Sequence, residues 1–479
     1  MSESTFFWYD LETTGVSPRQ DRIMQFAGQR TDMQMNPIGQ PINVLVRLSD
    51  DVLPSPDAIL VTGITPQQTI QDGITEVEFL KLFYEEVALS DTIFVGFNSV
   101  RFDDEFMRFL HYRNFYDPYQ WQWQDGRSRW DLLDAVRMMR ALRPEGIKWP
   151  MLDGKPTNRL ELLTKENTIA HDNAHDAQSD VRACIALAKL MQTSQPRLFA
   201  WLLELRDKKA VAKLVEADEP FVYSSGKYDD EHEKTTVGIR LAAHPNRQGA
   251  ALVYDLRHDP TEFFALSPKE LAERWQYNRD PEAPSRLPVK TLQYNRCPAI
   301  APLGVLDDAS QERIHLSPDT IKRNLRALKS EPIFAATVIA AVEVLDDWQQ
   351  KRQNALGDTD ASERLYDGFL DTKDQNLLGV MRAADATEIM DISQDFHDER
   401  LRDMSPSYKA RNFKEALSND EREAWEKYRY EQLMSGGAKS RVATFMHRLQ
   451  ELAQSRPDQA FLLEELHLYA ESIMPSAEA

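Results

Sequence analysis

Strand-like and helix-like segments alternate through the first 195 residues, which limits this region to a layered α/β fold. The apolar-aromatic run Phe6–Leu11 predicts a first strand. The runs Ile42–Leu48 and Thr92–Phe97 predict two more strands. Helical patterns follow at Trp130–Leu142 and Val181–Met191. Strands mixed with helices in this way indicate a sheet covered by helices.

The rest of the chain changes character twice. The short runs Val237–Ala242 and Ala250–Leu256 are separated by polar turns and predict a small β-rich barrel with some helices. From about Lys351 the chain is rich in helix formers and charges, as in Glu421–Leu433 and Arg441–Gln454. The sequence therefore predicts three domains, with bounds 1–195, 196–350 and 351–479.

Charge and cysteine content exclude several classes of protein. The net charge of −20 argues against a non-specific nucleic-acid coat protein, so any nucleic acid would need a local groove. No apolar run approaches the ~20 residues of a membrane helix. The two cysteines, Cys184 and Cys297, form neither a zinc pattern nor a disulfide framework. We expect a reduced, cytoplasmic protein without a membrane anchor.

Two carboxylates end the first predicted strand. Asp10 and Glu12 point to the same side of that strand, because side chains alternate along it. Two carboxylates that face together repel each other unless a cation lies between them. The pattern alone is weak evidence, since a solvated strand edge gives the same residues.

Two further acidic elements follow in the same α/β region. Asp103 comes after the third strand, but Asp104 and Glu105 lie beside it, and helix capping explains an acid there equally well. His175 is predicted in a loop, and Asp180 in the first turns of the next helix. The alternative for His175 is an exposed surface histidine without a role. The alternative for Asp180 is an acid that complements the helix dipole.

The order of these elements favours a shared site over separate surface features. Four hard oxygen donors without a cysteine cluster suit Mg²⁺ or Mn²⁺ better than zinc. Two such ions ~4 Å apart can clamp a phosphodiester, generating hydroxide at one side and stabilising the leaving 3′ oxygen at the other. A histidine with a pKa near neutrality could accept the proton of the attacking water.

The spacing of these residues resembles the DEDD exonuclease superfamily, and the histidine five places before the last aspartate is similar to its DEDDh branch. Longer stretches resemble the bacterial exonuclease I family across nearly the whole chain. These stretches are residues 60–66, 100–105, 112–118, 128–134, 141–146, 173–177, 365–369 and 408–413.

The resemblance implies an α/β RNase H-like exonuclease domain, an SH3-like β-barrel domain and an all-α C-terminal domain. It implies processive 3′→5′ digestion of single-stranded DNA to 5′-mononucleotides, in DNA repair and recombination. Carried over by position, the metal ligands are the four carboxylates and the general base is the histidine. These residues are Asp10, Glu12, Asp103, Asp180 and His175.

The resemblance also implies contacts with substrate and with a partner. Arg159 matches a basic residue that meets the substrate, although a plain surface arginine is an equal alternative. Glu12, Gly63 and Ile64 are expected at the terminal nucleotide. Family members dock the acidic tail of single-stranded DNA-binding protein, and a monomer is expected. Residues that could hold that tail, or that merely form solvated helix faces, are Arg143, Lys148, Trp201, Arg206, Lys208 and Lys209.

Aromatic residues cluster between positions 115 and 123. Bases of a single strand stack well on such rings, but a hydrophobic core under a loop explains most of them better. The cluster consists of Phe115, Tyr116, Tyr119, Trp121 and Trp123.

Three other functions remain open on the sequence. A DEDDh ribonuclease would share the same site, although small enzymes of that type need only the first domain. A catalytically silent scaffold would bind DNA or the single-strand binding protein without cleaving. A hydrolase of small phosphate esters would act on nucleotides but not on polymers.

Overall fold

The computed structural model describes residues 4–171, 176–280, 282–355 and 359–475. The chain divides into two compact units. The first comprises residues 1–128, 171–182 and 359–479, and the second comprises residues 129–170 and 183–358. The first unit therefore combines the N-terminal strands with the C-terminal helices.

The elements are numbered in chain order. The N-terminal elements are β1 Thr5–Thr13, β2 Ile23–Thr31, β3 Pro37–Leu45, α1 Pro56–Thr62, α2 Pro66–Asp72, α3 Glu76–Leu82, β4 Thr92–Gly96 and α4 Asp103–Arg113. Those that follow up to residue 215 are β5 Ser128–Asp131, α5 Leu132–Leu142, β6 Met151–Leu152, β7 Lys155–Pro156, α6 Leu160–Glu166, α7 Ala177–Ser194, α8 Pro196–Glu204 and α9 Lys208–Val215.

The middle and C-terminal elements complete the list. The middle ones are β8 Phe221–Ser224, β9 Thr235–Ala243, β10 Ala250–Asp255, α10 Pro268–Trp275, β11 Val289–Gln293, β12 Ala299–Pro302, α11 Asp308–Arg313, α12 Pro318–Ser330 and α13 Ile333–Ala355. The C-terminal ones are α14 Thr372–Ala383, α15 Ile389–Ser393, α16 Glu399–Asn412, α17 Asn419–Met434, α18 Arg441–Ser455 and α19 Ala460–Ser472.

Within the first unit the strands lie in the order β3-β2-β1-β4. The β3-β2-β1 part is antiparallel, whereas β1 and β4 run parallel. One face of this sheet is aromatic, with Phe7, Phe26, Phe94 and Trp121 fully or nearly fully buried. Fully burying one such side chain stabilises the fold by roughly 1.5–3 kcal/mol. The predicted α/β layer is confirmed.

The C-terminal helices pack on the N-terminal part of the same unit in two places. Phe109 and Phe115, at and after α4, share a core with Leu378 of α14 and Tyr408 of α16. A second core joins residues of β2 and α1 to helices α18 and α19. The helical nature of this region was predicted, and the structure confirms it.

The second unit contains a five-stranded antiparallel sheet, in the order β11-β10-β9-β8-β12. Both predicted runs are strands here, at β9 and β10. The described residues between α10 and β11 form no helix or strand. No helix in the described ranges is long and apolar enough to cross a membrane.

Two predicted elements were wrong in their bounds. Trp130 lies in strand β5, and helix α5 begins only at Leu132 because the Asp131 side chain caps it by accepting from the Leu133 N–H. The strand predicted over residues 42–48 is β3, which begins at residue 37 and ends at Leu45. Beyond that point the chain leaves the sheet and forms a bridge to residue 74.

The predicted aromatic core is largely confirmed. Phe115 and Trp121 have no exposed surface, and the half-buried Tyr116 packs against the same core as Trp121. Trp123 differs, with 61% of its surface exposed. Core packing therefore explains most of this cluster, as the sequence indicated.

A buried ion pair joins the loop after β3 to helix α16. The Arg411 guanidinium contacts the Asp51 carboxylate at 2.8 Å, and their side chains are 7% and 4% exposed. Arg411→Met is expected to lower the free energy of unfolding by about 3–5 kcal/mol, because it leaves a buried carboxylate without its partner. Urea denaturation measures this loss.

The control for that variant is Arg456→Met. The pair between Arg456 and Asp458 is about half exposed, so breaking it should cost no more than about 1 kcal/mol. Equal losses in the two variants would contradict a special role for the buried pair.

The same ion pair makes the stability of the fold depend on pH under acidic conditions. Burial alone would raise the pKa of Asp51, but the charge and hydrogen bonds of Arg411, with the charge of Arg22, hold it well below its usual range. A depressed pKa stabilises the fold above the unfolded value, which is about 3.9, and that contribution is lost as pH falls below it. As the pH is lowered from 6 to 3, the urea midpoint should fall less steeply in Asp51→Asn than in the wild type.

Candidate active site

Strand β1 carries two carboxylates past the end of its parallel neighbour. The pairing of β1 with β4 runs from Thr5 to Trp8, so Asp10 and Glu12 lie beyond it. Both residues still pair with β2 on the other edge of the strand. Their side chains point to the same face of the sheet, because they are two residues apart. The strand thus holds the two carboxylates together on a fixed backbone.

Three consecutive acids open helix α4, and the structure distinguishes them. Asp104 is fully buried and accepts a 2.5 Å hydrogen bond from the Tyr9 hydroxyl. Glu105 pairs with an arginine one turn further along the helix, at 2.7 Å. Asp103 is the first residue of the helix, not its cap, and its charge acts on both carboxylates of β1. Of these three acids, Asp103 is the one whose charge raises the pKa of both Asp10 and Glu12.

Helix α7 contributes the next carboxylate. The helix begins at Ala177, so Asp180 lies in its first turn, as the sequence predicted. The Asp180 N–H donates to the carbonyl of Asp176 at 3.0 Å, and its side chain is 17% exposed. The carboxylate also contacts Nε2 of His171, whose side chain is 5% exposed.

These acids raise one another's pKa. Burial raises the pKa of Asp10 well above its usual range, and the charges of Asp103, Asp180 and Glu12 raise it further. Burial also raises the pKa of Glu12 to about 8, with the charges of Asp180 and Asp103 as the next causes. Such crowding of like charges is stable only when protons or cations neutralise it.

The donor set fits a metal ion. One carboxylate oxygen from each of Asp10, Glu12 and Asp180 lies within 4.8 Å of the others. Hard oxygen donors of this kind suit Mg²⁺ and Mn²⁺. A divalent cation would neutralise the charges that otherwise raise these pKa values.

Metal binding should therefore be linked to pH. Without metal, folded Glu12 keeps a proton that the unfolded chain has already lost between its ordinary pKa, about 4.3, and about 8. The free energy of unfolding should therefore fall as pH rises through this window. Added Mg²⁺ should raise the melting temperature more at pH 8 than at pH 5, because the cation replaces the proton.

Glu12→Gln should reduce this dependence in thermal melts, with Glu161→Gln as the control. Glu161 is a partly exposed acid outside the cluster, with a side chain that is 39% exposed. A magnesium effect that is equal at both pH values in the wild type would contradict the linkage.

The other predicted site residues lie in both units. Gly63 ends helix α1 in the left-handed conformation, with φ 71°, and is exposed. Ile64 packs partly buried beside the second core of the first unit. Arg159 precedes helix α6 in the second unit, and its side chain is 64% exposed. His175 lies outside the described residues, so its role stays a prediction.

The candidate tail-binding residues belong to the second unit. Arg143 is 3.2 Å from the Asp307 carboxylate and donates to the Val305 carbonyl at 2.9 Å. The Trp201 indole N–H donates to the Ile300 carbonyl at 2.9 Å. The exposed basic side chains are Lys148, Lys208 and Lys209, and Arg206 is half-buried.

Sequence reasoning missed two neighbours of the cluster. His171 contacts Asp180, and the charge of Asp176 raises the pKa of both Asp10 and Glu12. Both flank the loop in which a histidine was already predicted. A second histidine four residues before His175 was the signal that could have drawn attention to His171.

Fold and site together define a nuclease class. The family model described as "Exonuclease" matches residues 7–188, which include all four carboxylates. The "Exonuclease I SH3-like domain" matches residues 206–342, and the "Exonuclease I C-terminal domain" matches residues 359–473. The exonuclease domain of such proteins is metal-dependent, in agreement with the acidic cluster.

Relatives match along almost the whole chain. Exodeoxyribonuclease I of Haemophilus influenzae is 38% identical over 98% of both chains. The structure of Escherichia coli exonuclease I in complex with a dA16 oligonucleotide has a TM-score of 0.91 and 36% identity, covering 98% of this chain and 100% of that one. An oligoribonuclease of Shewanella baltica is 43% identical, but over only 11% of this chain. The chain belongs to the exonuclease I family.

Proposed function

We propose that this protein is a processive 3′→5′ exonuclease that degrades single-stranded DNA to 5′-mononucleotides. The observation that carries the proposal is the acidic cluster on β1, α4 and α7, within a chain that belongs to the exonuclease I family from end to end. An enzyme of this kind acts in DNA repair and recombination, and a cytoplasmic location belongs to the same proposal.

Asp10, Glu12, Asp103 and Asp180 would hold two Mg²⁺ ions, for which Mn²⁺ is a possible substitute. When bound, the ions supply a water of lowered pKa and positive charge beside the leaving 3′ oxygen. The donor set supports this assignment, because all four ligands offer hard oxygens. A zinc-bound form of the Escherichia coli exonuclease I–ssDNA complex is a neighbour of this structure, with 35% identity.

His175 would accept the proton of the attacking water at a ring nitrogen. The water oxygen then bonds to phosphorus, the bond from phosphorus to the 3′ oxygen breaks, and that oxygen takes up a proton from solvent, to which His175 later returns the one that it accepted. The support for His175 is its spacing to Asp180, which resembles the DEDDh pattern. Glu12, Arg159, Gly63 and Ile64 are proposed to contact the terminal nucleotide.

The proposed partners are single-stranded DNA and the acidic tail of single-stranded DNA-binding protein. A structure of SSB/Exonuclease I in complex with inhibitor CFAM supports the second partner, at 35% identity and a TM-score of 0.89. Arg143 already forms an ion pair with Asp307. The exposed lysines Lys148, Lys208 and Lys209 would therefore supply most of the electrostatic attraction to the acidic tail. We also propose that the protein is a monomer. Its proposed domains are residues 1–195, 196–350 and 351–479, and the spans of the family models support these domains.

The experiment that tests this function is digestion of matched DNA and RNA oligonucleotides side by side. We expect rapid shortening of the DNA and little loss of the RNA. A preference for RNA would leave the proposed active site unchanged but would make RNA the substrate. Binding of DNA without cleavage would favour a silent scaffold, and hydrolysis of only nucleotide esters would favour a small-molecule phosphoesterase.

A further inference from the structure

The segment from Leu365 to Phe369 presents an aromatic side chain to solvent. Phe369 is 93% exposed, more than any other aromatic residue among those the structure describes. The next most exposed aromatic side chains are Tyr277 at 72% and Phe461 at 71%. Singly exposed hydrophobic side chains are normal on protein surfaces, so exposure alone assigns no role.

The backbone around Phe369 is nevertheless held in place. The guanidinium of Arg400 donates to the carbonyl of Arg364 at 2.8 Å and to the carbonyl of Gly368 at 3.1 Å. The same guanidinium is 2.6 Å from the Asp398 carboxylate, and the Arg400 side chain is only 6% exposed. A buried arginine thus anchors the backbone at two carbonyls that precede Phe369, those of Arg364 and Gly368.

This loop is also attached to the helix that carries Asp103. The Tyr366 hydroxyl donates to the Glu105 carboxylate, and the Tyr366 ring packs edge-on against Phe109 at 5.8 Å. Glu105 and Phe109 belong to α4, whose first residue is Asp103. Burial and the Glu105 charge raise the pKa of Tyr366, so this hydroxyl keeps its proton and remains a donor. The loop is therefore held against the helix that begins with Asp103, within the first unit.

We propose that Phe369 is a stacking platform for one base of the single-stranded DNA held at the acidic cluster. The inference rests on the proposed function and names a substrate contact for it. The exposed ring lies on a loop that contacts the helix beginning with Asp103, and it offers a π-face on which every base can stack at ~1–3 kcal/mol regardless of sequence. Bases in a duplex already stack on each other, so this contact also favours single strands.

Stacking suits the electrostatics of this protein. With a net charge of −20, the chain cannot rely on overall attraction to a polyanion. A contact with the face of a base gains affinity without meeting the phosphates. The salt dependence of binding should consequently be the same with and without the Phe369 ring, while the affinity differs.

The test measures binding of a single-stranded oligonucleotide in EDTA, so that no cleavage occurs, with 2-aminopurine placed at successive positions from the 3′ end. Phe369→Ala should weaken binding roughly 5- to 150-fold. It should also restore the fluorescence of the probe at one position. Phe369→Trp should retain both the affinity and the quenching, whereas Phe369→Leu should lose them. Because the side chain is exposed, the melting temperature should stay unchanged.

The matched control is Phe461→Ala, which removes a similarly exposed ring on α19. Binding by Phe369→Ala that equals binding by Phe461→Ala would overturn the inference. Wild-type affinity in Phe369→Leu would also overturn the inference, because an aliphatic side chain would then replace the aromatic ring without loss. A wild-type protein that neither binds nor degrades single-stranded DNA would overturn the proposed function itself, which distinguishes the two failures.

Discussion

Alanine in place of Asp180 is expected to lower the rate of single-stranded DNA cleavage by ~10³-fold or more, while the fold stays intact. The substitution removes a carboxylate that lies with those of Asp10 and Glu12 within 4.8 Å. Stabilisation of transition-state charge by a metal ion is worth several kcal/mol, and each ~1.4 kcal/mol is a factor of ten in rate. Initial rates on a labelled oligonucleotide in magnesium measure the effect.

The same substitution should not destabilise the metal-free protein. Asp180 is among the charges that raise the pKa of Asp10 and of Glu12, so its removal relieves repulsion, which offsets the lost contact with the buried His171. The melting temperature without metal should be equal to that of the wild type or higher. Asp319→Ala is the control, because Asp319 is an exposed acid in the first turn of α12. Near-normal turnover by Asp180→Ala would show that Asp180 is not part of the active site.

Alanine in place of His175 is expected to lower kcat about 10²- to 10⁴-fold, which is the usual contribution of a general base. The loss should appear in single-turnover cleavage of bound oligonucleotide. The magnesium-induced rise in melting temperature should remain, because the proposed metal ligands are all carboxylates.

His171→Ala is the matched comparison. His171 contacts the Asp180 carboxylate, so its loss should disturb the position of that carboxylate. We expect this variant to need more magnesium for half-maximal rate, with a smaller loss of kcat at saturation. A large loss of kcat in His171→Ala, together with little loss in His175→Ala, would move the role of base to His171.

Local chemistry explains what the sequence predicted well. The period-2 pattern of β1 fixes Asp10 and Glu12 on one face whatever packs around them. Helix α7 contains the predicted apolar run, although the helix begins four residues before that run, at Ala177. Trp130 shows the limit of such patterns. Its apolar run fits either period, and only the capping side chain of Asp131 shows that the helix starts after it.

Long-range packing explains what the sequence could not predict. The first unit joins Phe109 of α4 to Tyr408 of α16, across nearly 300 positions of sequence, and no local pattern carries that pairing. The difference between Asp103 and Asp104 likewise depends on the hydroxyl of Tyr9, which lies in strand β1 and binds the Asp104 carboxylate. No local pattern predicts the contact of His171 with Asp180, which are nine residues apart in sequence.

The most direct test of the account is digestion of a single-stranded DNA oligonucleotide labelled at its 5′ end, with magnesium and with EDTA. In magnesium, we predict that the full-length oligonucleotide disappears while short products that keep the 5′ label accumulate, with few intermediates because digestion is processive. In EDTA, we predict that the oligonucleotide stays intact. Release of the label as a mononucleotide at the earliest times would contradict the 3′→5′ polarity. Undiminished cleavage in EDTA would contradict the metal-dependent site formed by Asp10, Glu12, Asp103 and Asp180.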